Sequence, residues 1–348
     1  MKTRYSRQSP IIGEEGQQKL SESKVIVVGI GGLGCPVSLY LNQAGVGSLT
    51  IIDSDKVDIT NLHRQILFTE KDIGLSKVSS AQAKLKKRNS TITINSLDLK
   101  VDHYNAFSLC SNHDIIVDCS DNFQTKYLLN SVSKDLGIPL VTASIFQQEA
   151  YISTLNYSSG ACLECIFPET PPLSLAPNCN QSGVLGVDAG IVGVIQAKEV
   201  INIITGNPKL HSKLLCLDLE FLEMTTRVIK KKKNCNNKCA INKIVNNIVT
   251  DINFEEYSYF LSQERDTQII DCRSKEEHSK YNIGGSNITL AELEVHYTKL
   301  DPNIPTILYC STGKRSSEAA QFLIKKNFNK IFCLKNGVNS CLSLDKLS

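Results

Sequence analysis

Apolar residues fall in short blocks along the first half of this chain, and the blocks alternate between strand length and helix length. Those at 24–28, 48–52, 91–97, 115–118 and 140–143 predict strands, and those at 36–44, 77–88 and 123–136 predict helices. Pro36 suits the first turn of its helix. This alternation predicts a Rossmann-like, doubly wound α/β sheet. Residues 148–155 alternate polar and apolar and predict an antiparallel strand. The stretch 163–183 is rich in proline, serine and cysteine and predicts a long loop, of the functional or mobile kind. The most apolar segment, 184–205, is interrupted by Asp188, Gln196, Lys198 and Glu199, which predicts a buried helix and not a membrane span. Around 230–247 the composition turns to lysine, asparagine and cysteine, and a second α/β pattern restarts beyond it. Its strands are expected at 268–271, 306–309 and 330–334 and a helix at 316–326, dividing the chain into domains 1–245 and 250–348.

Composition narrows the class. The 348 residues, 41% hydrophobic and 21% charged, suffice for two cores. A net charge of +3 argues against a general nucleic-acid binder. The run Lys230 to Lys233 reads as a solvated tail on a helix end. Residues 1–10 are polar and basic with no signal-peptide stretch, so a cytoplasmic, non-membrane protein is expected. Thirteen cysteines, an odd number, argue against a disulfide framework and raise metal and thiol chemistry instead. Cys35, Cys110, Cys119, Cys216 and Cys333 lie in apolar runs and read as small core residues.

Gly29-Ile30-Gly31-Gly32-Leu33-Gly34 follows a strand and opens a helix, so its backbone can approach a phosphate closely. Asp53 ends the next strand, where an acid bonds a ribose hydroxyl. Alone, this fits a dehydrogenase equally well. Arg64, Lys77 and the further acids Asp55 and Asp121 exceed what a dinucleotide needs and suit a triphosphate with Mg²⁺. Through RYSRQ, GIGGLGCP, IIDSDKVDITNLHRQ, GLSKV, DCSDN and CNQSGVLG, residues 4 to about 240 resemble the MoeB/ThiF/HesA adenylyltransferases, relatives of the ubiquitin-activating enzymes. The resemblance implies an ATP site. Gly31, Gly32 and Gly34 would lie near the phosphates and Asp53 on the ribose, with Asp55 near the ribose or metal. Asn61 and Arg64 would contact phosphates, Lys77 would sit at the α-phosphate, and Asp121 beside Asn122 would bind Mg²⁺. Arg7 would reach into the ATP site of the partner in a homodimer. Asp121 also reads as a helix N-cap.

Cys162 and Cys165 form a C-x2-C pair, and Cys235 and Cys239 a C-x3-C pair about seventy residues on. Two such pairs complete a closed thiolate site for structural Zn²⁺. The adenylyltransferase resemblance supports it, although its second pair is usually spaced C-x2-C. Cys179 lies between a long loop and a helix start, where a thiol becomes nucleophilic. In sulfur-transferring relatives the matching cysteine bonds covalently to the activated carrier.

Cys310 ends an apolar strand, and the loop Cys310-Ser311-Thr312-Gly313-Lys314-Arg315-Ser316 leads into a helix. Inward N–H groups, the helix start, Lys314 and Arg315 are expected to favour a thiolate there. With DCR, EEH, IGGSNI and LKNGVNS, residues 252 to 345 resemble the rhodanese family. That resemblance makes Cys310 the persulfide carrier, in a loop that includes Gly313 and is braced by Asp271 and Arg273. Cys272 reads as buried and inert. A phosphatase would place arginine where Ser316 stands.

The two resemblances together imply an enzyme that adenylates the C-terminal Gly-Gly of a MoaD-, ThiS- or Urm-like sulfur carrier and forms its thiocarboxylate. Sulfur would come from a cysteine desulfurase or thiosulfate, for molybdopterin, thiamine or tRNA thiolation. The alternatives are a ubiquitin-like conjugation enzyme with a thioester at Cys179, and a non-catalytic carrier-binding scaffold.

Overall fold

The structure, a computed structural model, describes residues 3–168, 183–232, 235, 249–254, 257–258, 267–302, 304–326, 328 and 331–339. The chain divides into two compact units, Met1–Cys239 and Ala240–Ser348.

The first unit runs α1 (Ser9–Glu22), β1 (Lys24–Val28), α2 (Gly34–Ala44), β2 (Ser48–Ile52), α3 (Lys77–Arg88), β3 (Thr93–Leu97), α4 (Ala106–Cys110) and β4 (Ile115–Asp118). It continues through α5 (Phe123–Leu136), β5 (Leu140–Phe146), β6 (Glu149–Leu155), the single turn α6 (Leu163–Ile166), α7 (Gly186–Ile204), β7 (Lys213–Asp218) and β8 (Glu223–Val228). The strands form one sheet in the order β3-β2-β1-β4-β5-β6-β7-β8. The first five run parallel, and β6, β7 and β8 are antiparallel additions. Strand order reverses between β1 and β4, and open α/β sheets bind ligands at that crevice. Val25, Ile26 and Val27 are fully buried, as expected for a central strand covered on both faces.

The polar residues that interrupt α7 are largely interior fasteners. Gln196 donates to Asp118 O at 3.0 Å. The Glu199 carboxylate accepts from Lys209 N (2.9 Å), Leu210 N (2.7 Å) and Thr154 Oγ1 (3.0 Å). Among the described residues no helix is long and apolar enough to cross a membrane.

Several elements depart from the sequence expectation. α1 buries only Gly16 and Leu20, so its apolar stripe is too thin to read. Every residue of β8 is exposed, and the strand carries no alternating signal. Lys230 to Lys232 follow this strand and do not extend a helix. β5 continues to Phe146 because β6 pairs with it along its whole length. Cys35, Cys110, Cys119 and Cys333 are buried, whereas Cys216 is only half-buried on β7. The expected loop begins with α6, and its stretch 169–182 lies outside the described residues, as does 236–248.

The second unit runs β9 (Val249–Ile252), β10 (Gln268–Asp271), α8 (Lys275–Lys280), β11 (Ser286–Asn287), α9 (Leu290–His296), β12 (Thr306–Tyr309), α10 (Lys314–Lys325) and β13 (Ile331–Leu334). Its sheet is parallel, in the order β11-β10-β12-β13-β9. One apolar cluster contains Ile270, Leu308 and Leu323, and a second contains Ile252, Tyr309 and Phe332. Capping boxes start α8 (Ser274 with Glu277) and α9 (Thr289 with Glu292), helices too short to show a period. α10 begins at Lys314, two residues before its expected start.

Candidate functional site

The glycine turn shows a division of labour. Gly29 has φ +93°, and a Cβ there would stand 2.8 Å from Cys119 O. A Cβ on Gly34 would stand 1.9 Å from Gly29 O. Gly34 therefore lets α2 close onto β1, and it lies outside the cavity wall that Gly31 and Gly32 line.

A cavity of about 1000 Å³ opens at the C-terminal ends of the parallel strands. Gly31, Gly32, Asp53, Asp55, Asn61, Arg64, Lys77, Asp121 and Asn122 all line it. Asp53 accepts N–H groups from Ile30 (2.7 Å) and Asp55 (2.9 Å). Burial raises its pKa against the pull of Lys77 and those donors. Lys77 is buried and pairs with Asp55 at 2.7 Å. Arg64 is half-buried and donates to Thr60 O at 2.9 Å. Asn122, and not Asp121, caps α5, accepting from Thr125 N at 2.9 Å. Asp121 is exposed to the cavity and makes no hydrogen bond or ion pair among the described residues. An oxygen donor of that kind fits a hard cation such as Mg²⁺. Arg7 is exposed on the turn before α1 and does not line this cavity.

Sequence reasoning missed Lys56, Lys100 and Lys126 on the same wall. Lys126 is buried and reaches back to Asp118 (3.0 Å) and Ala143 O (2.6 Å). The available signal was its position one turn after the Asn122 cap, facing the strand end that carries Asp118.

The first unit also gathers thiols. Cys162 Sγ lies 3.8 Å from Cys165 Sγ and 3.5 Å from Cys235 Sγ. Tetrahedral bonds of about 2.3 Å put sulfurs about 3.8 Å apart, so these three could hold a zinc-class metal. Burial and the neighbouring Cys162 push the Cys235 thiol up to about 12. Burial opposes ionisation of Cys165, yet N–H groups of Lys232 and Cys162 bring it below an ordinary thiol. Cys239 and Cys179 lie outside the described residues.

In the second unit Cys310 is 1% exposed. Its sulfur accepts N–H groups from Gly313 (3.1 Å) and Ser316 (3.5 Å), with Ser316 Oγ at 3.6 Å. Burial alone would raise its pKa, but the Ser316, Thr312 and Gly313 donors bring it below the ordinary value. Two expectations change here. Arg315 is engaged by Glu277 at 2.7 and 2.8 Å, so main-chain donors hold the sulfur instead. Lys314 is exposed at the start of α10. Asp271 and Arg273 pair at 2.7 Å and hold His278 of α8 and Tyr281 O after it, and the Arg273 guanidinium lies 5.6 Å from the ring of Tyr309, the residue before Cys310. Glu277 braces the loop directly, accepting also from Ser311 Oγ at 2.9 Å. Arg315 holds the Glu277 carboxyl well below the usual carboxylate range. Cys272 is buried beside this site, and burial raises its pKa strongly.

Comparison with known proteins agrees with this geometry. The ThiF family model matches residues 5–241, and the rhodanese-like domain model matches 256–343. The adenylyltransferase and sulfurtransferase MOCS3 of Aedes aegypti is 37% identical over 96% of this chain and 73% of its own length. The adenylyltransferase and sulfurtransferase UBA4 of Meyerozyma guilliermondii is 31% identical over 97% of this chain and 87% of its own length. The MOCS3 of Culex quinquefasciatus is 40% identical over 79% of this chain, a match spanning only 62% of that relative. The crystal structure of E. coli MccB with ATP superposes with a TM-score of 0.59 at 23% identity, covering 68% of this chain and 75% of MccB, a likeness of fold alone. The chain belongs to the ThiF family and carries a rhodanese-like domain after it.

Proposed function

We propose that this chain uses ATP to adenylate the C-terminal glycine of a ubiquitin-like sulfur-carrier protein and then converts that end to a thiocarboxylate. One observation carries the reading: a single chain holds both the cation-and-acid-lined cavity of a ThiF-family fold and a thiolate-favouring loop of a rhodanese-like fold. The names of its MOCS3 and UBA4 relatives support both halves.

In the first half, Arg64, Asn61, Lys77 and the Gly31–Gly32 backbone would bind the phosphates, and Asp53 the ribose. Lys77 would leave Asp55 for the α-phosphate. Asp121 would hold Mg²⁺, which supplies positive charge where the phosphate oxygens gain negative charge. The carrier's carboxylate oxygen attacks the α-phosphorus, the bond to the bridging oxygen breaks, and pyrophosphate leaves. Arg7 would enter this site from a second copy. In the second half, the terminal sulfur of a Cys310 persulfide attacks the acyl carbon, and AMP departs. The product is an acyl disulfide on Cys310. Cys179, as thiolate, would attack Cys310 Sγ and release the thiocarboxylate. The Cys179–Cys310 disulfide left behind needs an external thiol reductant. A desulfurase or thiosulfate would recharge Cys310. Cys162, Cys165, Cys235 and Cys239 would hold structural Zn²⁺. A cytoplasmic location belongs to the same reading, since thirteen cysteines, an odd number, argue against a disulfide framework.

The test pairs two measurements on candidate carriers ending in Gly-Gly. Carrier-dependent exchange of labelled pyrophosphate into ATP reads adenylation, and mass spectrometry reads the gain of sulfur. Cys310→Ala is expected to keep exchange and lose sulfur transfer. Sulfur transfer that survives C310A removes the persulfide role, and exchange that never responds to a carrier removes the first half.

A further inference from the structure

Lys134 stands in the last turn of α5 with its side chain 7% exposed. Its Nζ lies 3.8 Å from Cys162 Sγ and 4.0 Å from Cys235 Sγ, within donor distance of two candidate ligand sulfurs. The Glu164 carboxylate, 34% exposed, lies 3.9 Å from the same ammonium. A buried ammonium is costly without partners of opposite charge, and thiolates are such partners. The same helix fastens the cysteine turn at two further points. Asn130 Oδ1 accepts from Leu163 N at 2.9 Å, and Tyr127 Oη donates to Phe167 O at 2.8 Å. Tyr127, Asn130 and Lys134 fall three and four residues apart, on one helix face.

We propose that Lys134 is the outer-sphere partner of the thiolate metal centre, donating to the Cys162 and Cys235 thiolates and setting the affinity of that centre for a divalent metal. Three thiolates exceed the charge of one divalent cation by one negative charge, and a fourth exceeds it by two. An ammonium held 3.8 and 4.0 Å from two of the sulfurs offsets that excess. The inference rests on the reading of these cysteines as a metal centre.

Cobalt(II) titration of the full chain, read by the sulfur-to-cobalt charge-transfer band, tests both levels, with zinc affinity taken from chelator competition. Lys134→Met is expected to weaken metal binding about 10- to 100-fold, the usual effect of removing an outer-sphere partner. Lys134→Arg keeps the charge and is expected to restore most of the affinity. Glu164→Gln removes a competitor for the same ammonium and is expected to leave affinity unchanged or tighten it up to about fivefold. Wild-type affinity in K134M overturns the inference, as does an equal loss in K134M and K134R. If K134M does not fold, E164Q decides: weaker binding overturns the role. No cobalt band in the wild type overturns the metal centre itself, an outcome distinct from the failure of Lys134.

Discussion

At the scale of the residue, Cys310 and Cys272 make a controlled comparison. Both are 1% exposed in the same small core. Burial raises the pKa of Cys272, while N–H donors turn Cys310 the other way. A thiolate is the species present above its pKa, so a lowered value extends nucleophilic sulfur to lower pH. The thiolate absorbance difference between wild type and C310A is expected to appear below pH of about 8.5, the ordinary thiol value. Ser316→Ala removes the hydroxyl beside the sulfur and is expected to move the midpoint upward. An unmoved midpoint would leave the main-chain donors as the whole cause.

At the scale of the element, α7 shows how polar residues are made tolerable inside. Glu199 is 2% exposed, and its carboxylate satisfies two main-chain donors and a hydroxyl. Glu199→Ala strands those donors, and a loss of about 2 to 4 kcal/mol is expected in the unfolding free energy of the first unit, read by denaturant titration. The same scale explains what the sequence allowed to be read. β1, β2, β4, α3 and α5 were legible to the residue because their own apolar runs and caps define them. α1 and β8 were not, because they bury little of their own surface and depend on neighbours for their conformation. The cavity followed a similar rule. Asp53, Arg64 and Lys77 stand in contiguous motifs, whereas the Lys126–Asp118 pair needs the fold to bring a helix back to a strand end. Glu277 lies 38 residues from Arg315, and no local pattern announces that pair.

At the scale of the whole molecule, the proposed homodimer makes a prediction that a monomer does not share. Arg7→Ala and Lys77→Met are each expected to lower pyrophosphate exchange about 10²- to 10³-fold. Mixed and re-equilibrated, the two variants are expected to recover about a quarter of wild-type exchange, since half the dimers are mixed and one site in each is whole. No recovery on mixing places Arg7 in its own chain's reaction. The loop around Cys310 has a consequence on the longer scale of sequence drift. Its negative sulfur is held chiefly by amide hydrogens, which no point substitution deletes short of proline. Exposed Thr312 and Lys314 are therefore open to change. A lineage can re-aim the mouth of this loop toward a new sulfur source while its reactivity is inherited intact.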